Sequence, residues 1–387
     1  MPFTVQLGTP PQGISLNSAQ EGETVRLAWR DFSSSEDGDL FIARLEDYPS
    51  HVLRLIGSPA IKPSAIDHFL FLIKPDGECT VYVNELIHIA KVRIRKNVSK
   101  GDQIYSDDIL DIEELRFDGV EIPQDVGVFV LLSNGWRKGM YFDLGPLWSP
   151  PIQRDYDIGK LLGGYLNYLT YQQIFKITEK DWEALLAVGW FPFIGLKTDT
   201  IAEVLNHIRN GWNPDRLVEN IYTETAERVH LLLEHWRKSP VLAPHRDILT
   251  RAIERFAAQD FISCVSILYP RLEGLLRSIA SHAGETNFSQ SNLAEAPARA
   301  HRSSPNTYSR LLPQRFREFL SKVFFKSFDP NDSGNPAEAS RHTIAHGVAA
   351  EDGFNQKASL LAILMIEQIV YHLPASEALA AEAPSAT

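Results

Sequence analysis

The sequence has few cysteines, no excess of basic residues and no long uninterrupted apolar run. Its two cysteines, Cys79 and Cys264, exclude a disulfide framework and a cysteine-based zinc site. The most apolar stretch, ASLLAILMIEQIV at residues 358–370, contains Glu367 and is too short to span a bilayer. The first residues, MPFTVQLGTPPQG, lack the basic and apolar segments of a secretory signal. We therefore expect a cytoplasmic protein with no membrane segment.

The charge of the chain is acidic and unevenly distributed. A formal net charge of −11 argues against a general nucleic-acid coat protein, because binding to a phosphate backbone needs a basic surface. Residues 1–150 contain 14 Lys and Arg against 22 Asp and Glu, whereas the other 237 residues contain 24 against 27. Most of the acidity is therefore in the first part of the chain, which we expect to form a separate domain.

The first 150 residues have the pattern of a β-rich domain. TVYVNELIHIAKVRIRK at 80–96 is rich in β-branched residues and partly alternates between apolar and polar. In VGVFVLLSNGWRKGMYFDL, Asn134 and Gly135 separate two apolar runs. Because Asn-Gly tolerates the positive φ angles of a tight turn, this segment predicts a β-hairpin.

After residue 150 the pattern becomes helical, so the predicted fold class is α+β with several domains. We predict a helical connecting region over 151–255, an all-α domain over 256–374 and a disordered tail over 375–387. Asn213-Pro214 predicts the start of a helix that runs to about residue 238. Thr178 with Asp181 resembles a capping box and predicts the start of another helix. The polar stretch at 284–306 predicts a mobile loop before a further helix at about 308–327.

The segment SRHTIAHGV at 340–348 contains Arg341, His342 and His346. With Asn335 as N-cap and Gly347 as terminator, it predicts a helix of about three turns. An arginine is always cationic and can hold a phosphate through two parallel hydrogen bonds, whereas a histidine exchanges protons near neutral pH. This combination of side chains suits phosphodiester chemistry.

An arginine, then a polar residue, then a histidine four to six positions after the arginine, in a small helical domain, resembles the motif of the HEPN ribonucleases. Here the motif is Arg341, His342 and His346, followed by a glycine and the long apolar helix FNQKASLLAILMIEQIVYHL. The earlier helix SILYPRLEGLLRSIA fits the same layout. On it, Glu273 and Arg277 have i, i+4 spacing, so we expect a structural ion pair between them. The resemblance covers about residues 255–373 and implies an all-α HEPN-like helical bundle.

By this resemblance, Arg341 and His346 are the expected catalytic pair and His342 the supporting residue. The family implies a metal-independent, cofactor-free endoribonuclease, in which the RNA 2′-hydroxyl attacks the adjacent phosphate to give a 2′,3′-cyclic phosphate. It also implies a toxin or antiviral effector with a site formed by paired domains. We therefore expect a homodimer through the C-terminal helices, and an N-terminal domain that binds a regulatory partner of its own.

A basic segment supports RNA as the partner. Between residues 302 and 326 the chain has six basic residues against one acid, Glu318, although the chain as a whole is acidic. Such a local excess of positive charge can attract phosphates. The alternative interpretation is that these residues only form the solvent-exposed face of a helix. The residues that we expect to contact RNA are Arg310, Arg315, Arg317 and Lys322.

Other functions fit parts of the same sequence. The spacing of Arg341 and His346 recurs at Arg277–His282, but that copy has neither an Asn, Asp or His after the arginine nor a glycine directly after the histidine. His342 and His346 also have the spacing of two metal ligands, although Thr343 stands where an HExxH zincin needs a glutamate. The remaining alternatives are a non-catalytic RNA-binding or interaction module, and a hydrolase with another metal site using acids elsewhere, such as those of SDDILDIEEL at 106–115.

Overall fold

The computed structural model describes residues 2–57, 65–237, 239–301, 306–326, 340–347 and 349–373. These residues divide into two compact units. Unit 1 is made of the described residues up to Val92, Ile112–Gln172 and 306–308, and unit 2 of Arg93–Asp111, 173–301 and 309–373. The predicted tail at 375–387 and the predicted N-cap Asn335 lie outside the described residues.

Unit 1 is built on an antiparallel sheet of six strands, in the spatial order β1-β6-β5-β9-β10-β4. Two shorter ladders pair β2 with β3 and β7 with β8. The strands are β1 (Phe3–Gln6), β2 (Ile14–Ser15), β3 (Leu27–Ala28), β4 (Arg30–Ser34), β5 (Phe69–Ile73), β6 (Glu78–Val83), β7 (His88–Ile94), β8 (Ile109–Phe117), β9 (Gly127–Asn134) and β10 (Arg137–Asp143).

The predicted hairpin is confirmed as β9 and β10. Asn134 pairs with Arg137, and Gly135 between them has a φ angle of +61°. A residue with a Cβ atom is strained at such an angle, so glycine fits this turn.

Apart from the first two, the helices follow the β-rich region, which confirms the α+β class. In unit 1 they are α1 (Asp39–Glu46), α2 (Tyr48–Leu55) and α3 (Ile158–Thr170). The helices of the rest of the chain are α4 (Gln172–Phe175), α5 (Glu179–Ala187), α6 (Thr198–Arg209), α7 (Val218–Arg237), α8 (Arg246–Ala257), α9 (Phe261–His282), α10 (Gln290–His301), α11 (Pro313–Phe319), α12 (Arg341–Ala345) and α13 (Gln356–Tyr371).

Both faces of the six-stranded sheet are covered, which explains the continuous apolar run of β9. Val128, Val130 and Leu132 belong to a core that includes Leu162 and Leu169 of α3. The intervening Phe129 and Leu131 belong to a second core, on the side of α1 and α2. Alternate residues of one strand point to opposite faces. Because α3 completes the first core, the compact unit extends past the predicted boundary at residue 150 to Gln172.

Unit 2 is organised around α13, whose residues from Ala358 to Tyr371 are all buried. Polar side chains on this helix bind other parts of the unit. Glu367 forms a two-point ion pair with Arg228 of α7, and Gln368 accepts a hydrogen bond from the Ile194 amide at 2.8 Å. Since α13 is covered within the chain, it offers no exposed face for the predicted homodimer.

Two segments of unit 2 differ from the sequence-based expectation. The stretch predicted as a mobile loop at 284–306 contains α10, and Leu293, Ala294 and Ala298 on it are buried. The alanine-rich sequence has a high helix propensity, and tertiary burial of its small side chains supports the helix despite Pro297. The helix predicted over 308–327 is shorter at its start, where α11 begins at Pro313, and it continues as a π-helical turn over Leu320–Phe324.

Two other expectations for this region are confirmed. The helix predicted from Asn213-Pro214 forms as a 3₁₀ turn over Pro214–Leu217 and then α7, with the Asn213 side chain accepting from the Asp215 amide. Thr178 caps α5 by accepting a hydrogen bond from the Asp181 amide. Across the part of the chain that the structure describes, no helix combines the length and apolarity needed to cross a bilayer.

Candidate functional site

The segment with Arg341, His342 and His346 forms the short helix α12. Ser340 has an extended backbone, and its hydroxyl accepts a hydrogen bond from the Thr343 amide. Thr343 in turn accepts from the Ser340 amide at 2.8 Å, so the two residues cap the helix reciprocally. The helix therefore begins at Arg341, and the predicted three-turn helix is wrong because Ser340 interrupts it. The helix packs against α9 and carries Arg341 and His342, and His346 follows as its C-cap residue.

Arg341 is held by a carboxylate from α9. Its Nε forms an ion pair with Oε2 of Glu273, whose other oxygen, Oε1, lies 2.6 Å from Nη2 of Arg277. The pairing of Glu273 with Arg277 was expected from their i, i+4 spacing. Glu273 is 7% exposed, so one nearly buried carboxylate fixes two guanidinium groups. About a quarter of the Arg341 side chain remains exposed.

His342 is held in its neutral form by its surroundings. The Nε2 atom of Gln290 lies 2.7 Å from Nε2 of His342. Because an amide nitrogen only donates, the ring nitrogen accepts, which requires the tautomer protonated at Nδ1. Burial lowers the pKa of His342, and the neighbouring Arg341 and His346 lower it further, while Glu273 opposes them. His342 is therefore neutral at pH 7, and its one lone pair, on Nε2, accepts from Gln290.

His346 ends α12 and is exposed to solvent. Its ring is nearly parallel to that of His342, at an angle of 12° and with 6.0 Å between the centroids. Gly347 follows at a φ angle of +69°, as is usual directly after a helix. The fourfold spacing of the two histidines thus places both imidazoles on one side of the helix.

This site combines a fixed guanidinium with two imidazoles. Arg341 can stabilise negative charge on a bound oxyanion, and two imidazoles can exchange protons with it. Exposed His346 and half-exposed His342 are both accessible from solvent. The cluster of Arg341, His342, His346, Glu273 and Gln290 is called the α12 site below.

Arg310 does not belong to an RNA-contacting surface. It is 2% exposed, and its Nη2 donates to the Leu196 carbonyl at 3.1 Å. Its backbone amide donates to the buried carboxylate of Asp111. The prediction of an RNA contact at this residue is wrong because tertiary packing, which sequence spacing does not report, encloses the guanidinium.

The other three predicted RNA-contacting residues lie nearer the surface. Arg315 pairs with Glu318 at 3.1 Å and also with Glu179, and exposed Arg317 pairs with Glu295 at 3.0 Å. Exposed Lys322 lines a cleft together with Ser340. The four phenylalanines of this segment are buried core residues: Phe316, Phe319, Phe324 and Phe325.

Metal ligation was the other possibility for the two histidines. Among the described residues, no group of three or more His, Cys, Asp and Glu side chains is arranged to hold a metal ion. The α12 site itself offers His342, His346 and Glu273, and the last of these is engaged by two arginines.

The sequence did not identify Glu273 and Gln290 as members of the site. Glu273 was interpreted only as a partner of Arg277, and Gln290 was placed in the predicted loop. The available signal for Glu273 was its position on an apolar helix, where a charged side chain needs a partner.

No family model, no curated protein and no solved structure matches this chain.

Proposed function

We propose that the protein is a metal-independent endoribonuclease whose catalytic residues are Arg341, His342 and His346. The observation that carries the proposal is the α12 site itself, where an arginine fixed by Glu273 lies beside two accessible histidines with parallel rings. A cation next to two proton-exchanging groups is the set that cleavage of RNA by its own 2′-hydroxyl requires. The HEPN-like bundle remains part of this proposal.

In the proposed reaction, a histidine removes the proton of the 2′-hydroxyl, and the oxygen attacks the adjacent phosphorus. The bond from phosphorus to the 5′-oxygen breaks, and a second group protonates the leaving oxygen. The products are a 2′,3′-cyclic phosphate and a 5′-hydroxyl end. His342 suits the first proton transfer because its lowered pKa keeps it neutral, and the 2′-hydroxyl would replace the Gln290 amide at Nε2. His346 suits the second transfer.

Arg341 would stabilise the negative charge that develops on the phosphate oxygens. Its ion pair with Glu273 uses Nε, and about a quarter of the side chain remains exposed. A guanidinium oriented in advance loses less entropy when it binds a phosphate. Glu273 thus acts as a positioning residue for Arg341.

The second proton-transfer group has two candidate sources. It comes from His346 of the same chain, or from His346 of a second copy across a two-fold axis. The 6.0 Å separation of the rings favours the first source, and the predicted homodimer then serves to enclose the substrate through α12. Mixing Arg341→Ala and His346→Ala proteins separates the two, because activity returns in the mixture only if each site uses two chains.

A second function is favoured by the same ion pair. Glu273 neutralises part of the charge of Arg341 and Arg277, which suits a non-catalytic RNA-binding or protein-interaction module. Such a module would bind RNA without cutting it. A role as toxin or antiviral effector, with the acidic N-terminal region bound to a regulatory partner, belongs to the nuclease proposal, and growth arrest on expression is its expected consequence.

Incubation of purified protein with mixed RNA in EDTA tests the proposal. Wild-type protein should cleave, whereas Arg341→Ala and His346→Ala should not. His230→Ala is the matched control because His230 is an exposed histidine on α7 outside the α12 site. Binding without cleavage supports the second function, and cleavage that EDTA abolishes contradicts the metal-independent mechanism.

A further inference from the structure

Two clefts of unit 2 adjoin beside the start of α12. The first, here the basic cleft, has a volume of about 290 Å³ and is lined by Lys322, Lys326, Glu183 and Ser340, among others. The second, the aromatic cleft, has a volume of about 390 Å³. It is lined by the side chains of Tyr269, Phe319, Phe324, Leu361 and Met365, with a polar rim.

The clefts share two lining residues, Gly189 and Val323. A Cβ atom on Gly189 would lie 3.7 Å from Cγ1 of Val323, so the walls come close at this point. Val323 and Lys322 belong to the π-helical turn Leu320–Phe324. Turns of this kind are uncommon and often occur at functional sites.

The charges of the two clefts differ. The basic cleft has two exposed lysines, Lys322 and Lys326, against Glu183. In the aromatic cleft, Asp215 and Asp352 lie at the rim, and Asp215 pairs with Lys357 at 2.7 Å. A phosphate group is therefore favoured in the basic cleft and disfavoured in the aromatic cleft. The rim carboxylates can accept hydrogen bonds from amino groups of a neutral ligand.

We propose that the joined clefts bind one nucleotide of single-stranded RNA. The phosphate lies at Lys322 and Lys326, and the base inserts past Val323 into the aromatic cleft. Apolar and aromatic walls with a few polar groups are typical of small-ligand sites, and bases bind to aromatic side chains irrespective of their sequence. The inference rests on the proposed function, because Ser340 lines the basic cleft and starts the helix that carries Arg341.

Binding of 2′-deoxy dinucleotides to the full chain tests this site, since they carry a base and a phosphate but no attacking hydroxyl. Calorimetry is compared for wild-type protein, Lys322→Glu, Val323→Trp and the control Lys100→Glu, whose lysine is exposed in another segment. Lys322→Glu and Val323→Trp should each weaken binding roughly ten-fold or more, and Lys100→Glu should not. Lys322→Glu should also reduce the salt dependence of binding.

Thermal unfolding of each variant shows whether it is folded. If Val323→Trp does not fold, the comparison of wild type with Lys322→Glu tests the inference. Inorganic phosphate and free nucleosides should each bind more weakly than the dinucleotide. Equal affinity of wild-type and Lys322→Glu for the dinucleotide, or no binding by the wild type, overturns the inference.

The outcomes also separate the two proposals. Cleft-dependent dinucleotide binding by a protein that does not cut RNA supports the cleft and contradicts the nuclease. Cleavage that depends on His346, with unchanged dinucleotide binding in both cleft variants, supports the nuclease and contradicts the cleft.

Discussion

Two of the arginine–glutamate pairs that join helices of unit 2 have different surroundings. Arg228 binds both oxygens of Glu367 at 2.5 and 2.8 Å and donates to the Gly195 carbonyl, with Glu367 only 1% exposed. Arg341 binds one oxygen of Glu273 and keeps about a quarter of its side chain exposed. The guanidinium of Arg228 is therefore occupied by contacts within the core. The guanidinium of Arg341 still has nitrogens available to a ligand.

The comparison shows why the spacing of Arg and His cannot assign a role by itself. Arg228 is also followed by a histidine, His235, within the same helix. The ring of His235 packs against Tyr371 with 5.4 Å between centroids, and the arginine is enclosed. At α12 an accessible guanidinium lies beside two accessible imidazoles, so we propose the chemistry there and a structural role for Arg228.

The largest expected effect is on cleavage at the α12 site. His346→Ala should lower the rate constant for RNA cleavage by roughly 10²–10⁴-fold, because the proton donor to the leaving oxygen is lost. Single-turnover kinetics measure this, with His230→Ala as control. The thermal midpoint should remain that of wild type since His346 is exposed. A rate within two-fold of wild type would place the chemistry elsewhere.

The next largest effect is on stability at the core pair. Arg228→Ala leaves the Glu367 carboxylate buried without its partner and should lower the free energy of unfolding by about 3–5 kcal/mol. Arg341→Ala should cost less than about 1 kcal/mol, because Arg277 still neutralises Glu273 and the site is partly solvated. Chemical denaturation measures both. If both variants lost the same free energy of unfolding, the two pairs would not differ as proposed.

Glu273→Gln should displace the guanidinium of Arg341 while leaving its positive charge unchanged. We expect cleavage to slow by roughly 10–100-fold, since a displaced guanidinium meets the phosphate in poorer geometry. The pKa of His342 should fall further, because the Glu273 carboxylate is the group that raises it. An NMR titration of the imidazole signals, assigned with His342→Gln, reports this shift. A structural role alone would slow cleavage without moving the titration.

A smaller effect is the pH dependence of stability from His342. Its pKa in the folded protein lies below the ordinary value, so the unfolded chain binds a proton first as the pH falls. The free energy of unfolding should therefore decrease as the pH drops through about 6.5, the ordinary pKa of histidine. His342→Gln should flatten this part of the curve, measured by denaturation at several pH values. An unchanged curve would mean that the site does not perturb His342.

The smallest effect is expected from the exposed partner of Glu273. Arg277→Ala removes an i, i+4 ion pair in which Arg277 is about half exposed, so the loss should be about 0.3–0.5 kcal/mol. Denaturation in low salt measures it, and high salt should remove the difference. A loss of several kcal/mol would show that Arg277, too, belongs to the core.

Local signals in the sequence predicted local structure. The Asn134-Gly135 turn and the Asn213 and Thr178 caps form as expected because each depends on neighbours a few residues away. Ser340 and Thr343 carried the same kind of signal, a reciprocal cap, which places the start of α12. The long helix predicted there ignored that pair.

The sequence patterns did not predict contacts between residues that are far apart in the chain. The burial of Arg310 depends on Leu196 and Asp111, which are more than a hundred residues away. The carboxylate of Glu273 reaches Arg341 across 68 residues, and α10 forms where composition favoured a loop. The residues Arg341, His342 and His346 were selected from the sequence, whereas the partners that orient them came from the fold.

The most direct measurement of the central claim uses an oligonucleotide with one ribose in a DNA strand. In EDTA, wild-type protein should cut only after the ribose and leave a 2′,3′-cyclic phosphate and a 5′-hydroxyl, identified by mass spectrometry. His346→Ala should leave this strand intact. Cutting of the all-DNA strand, or products with a 5′-phosphate, would contradict cleavage by the ribose hydroxyl at the α12 site.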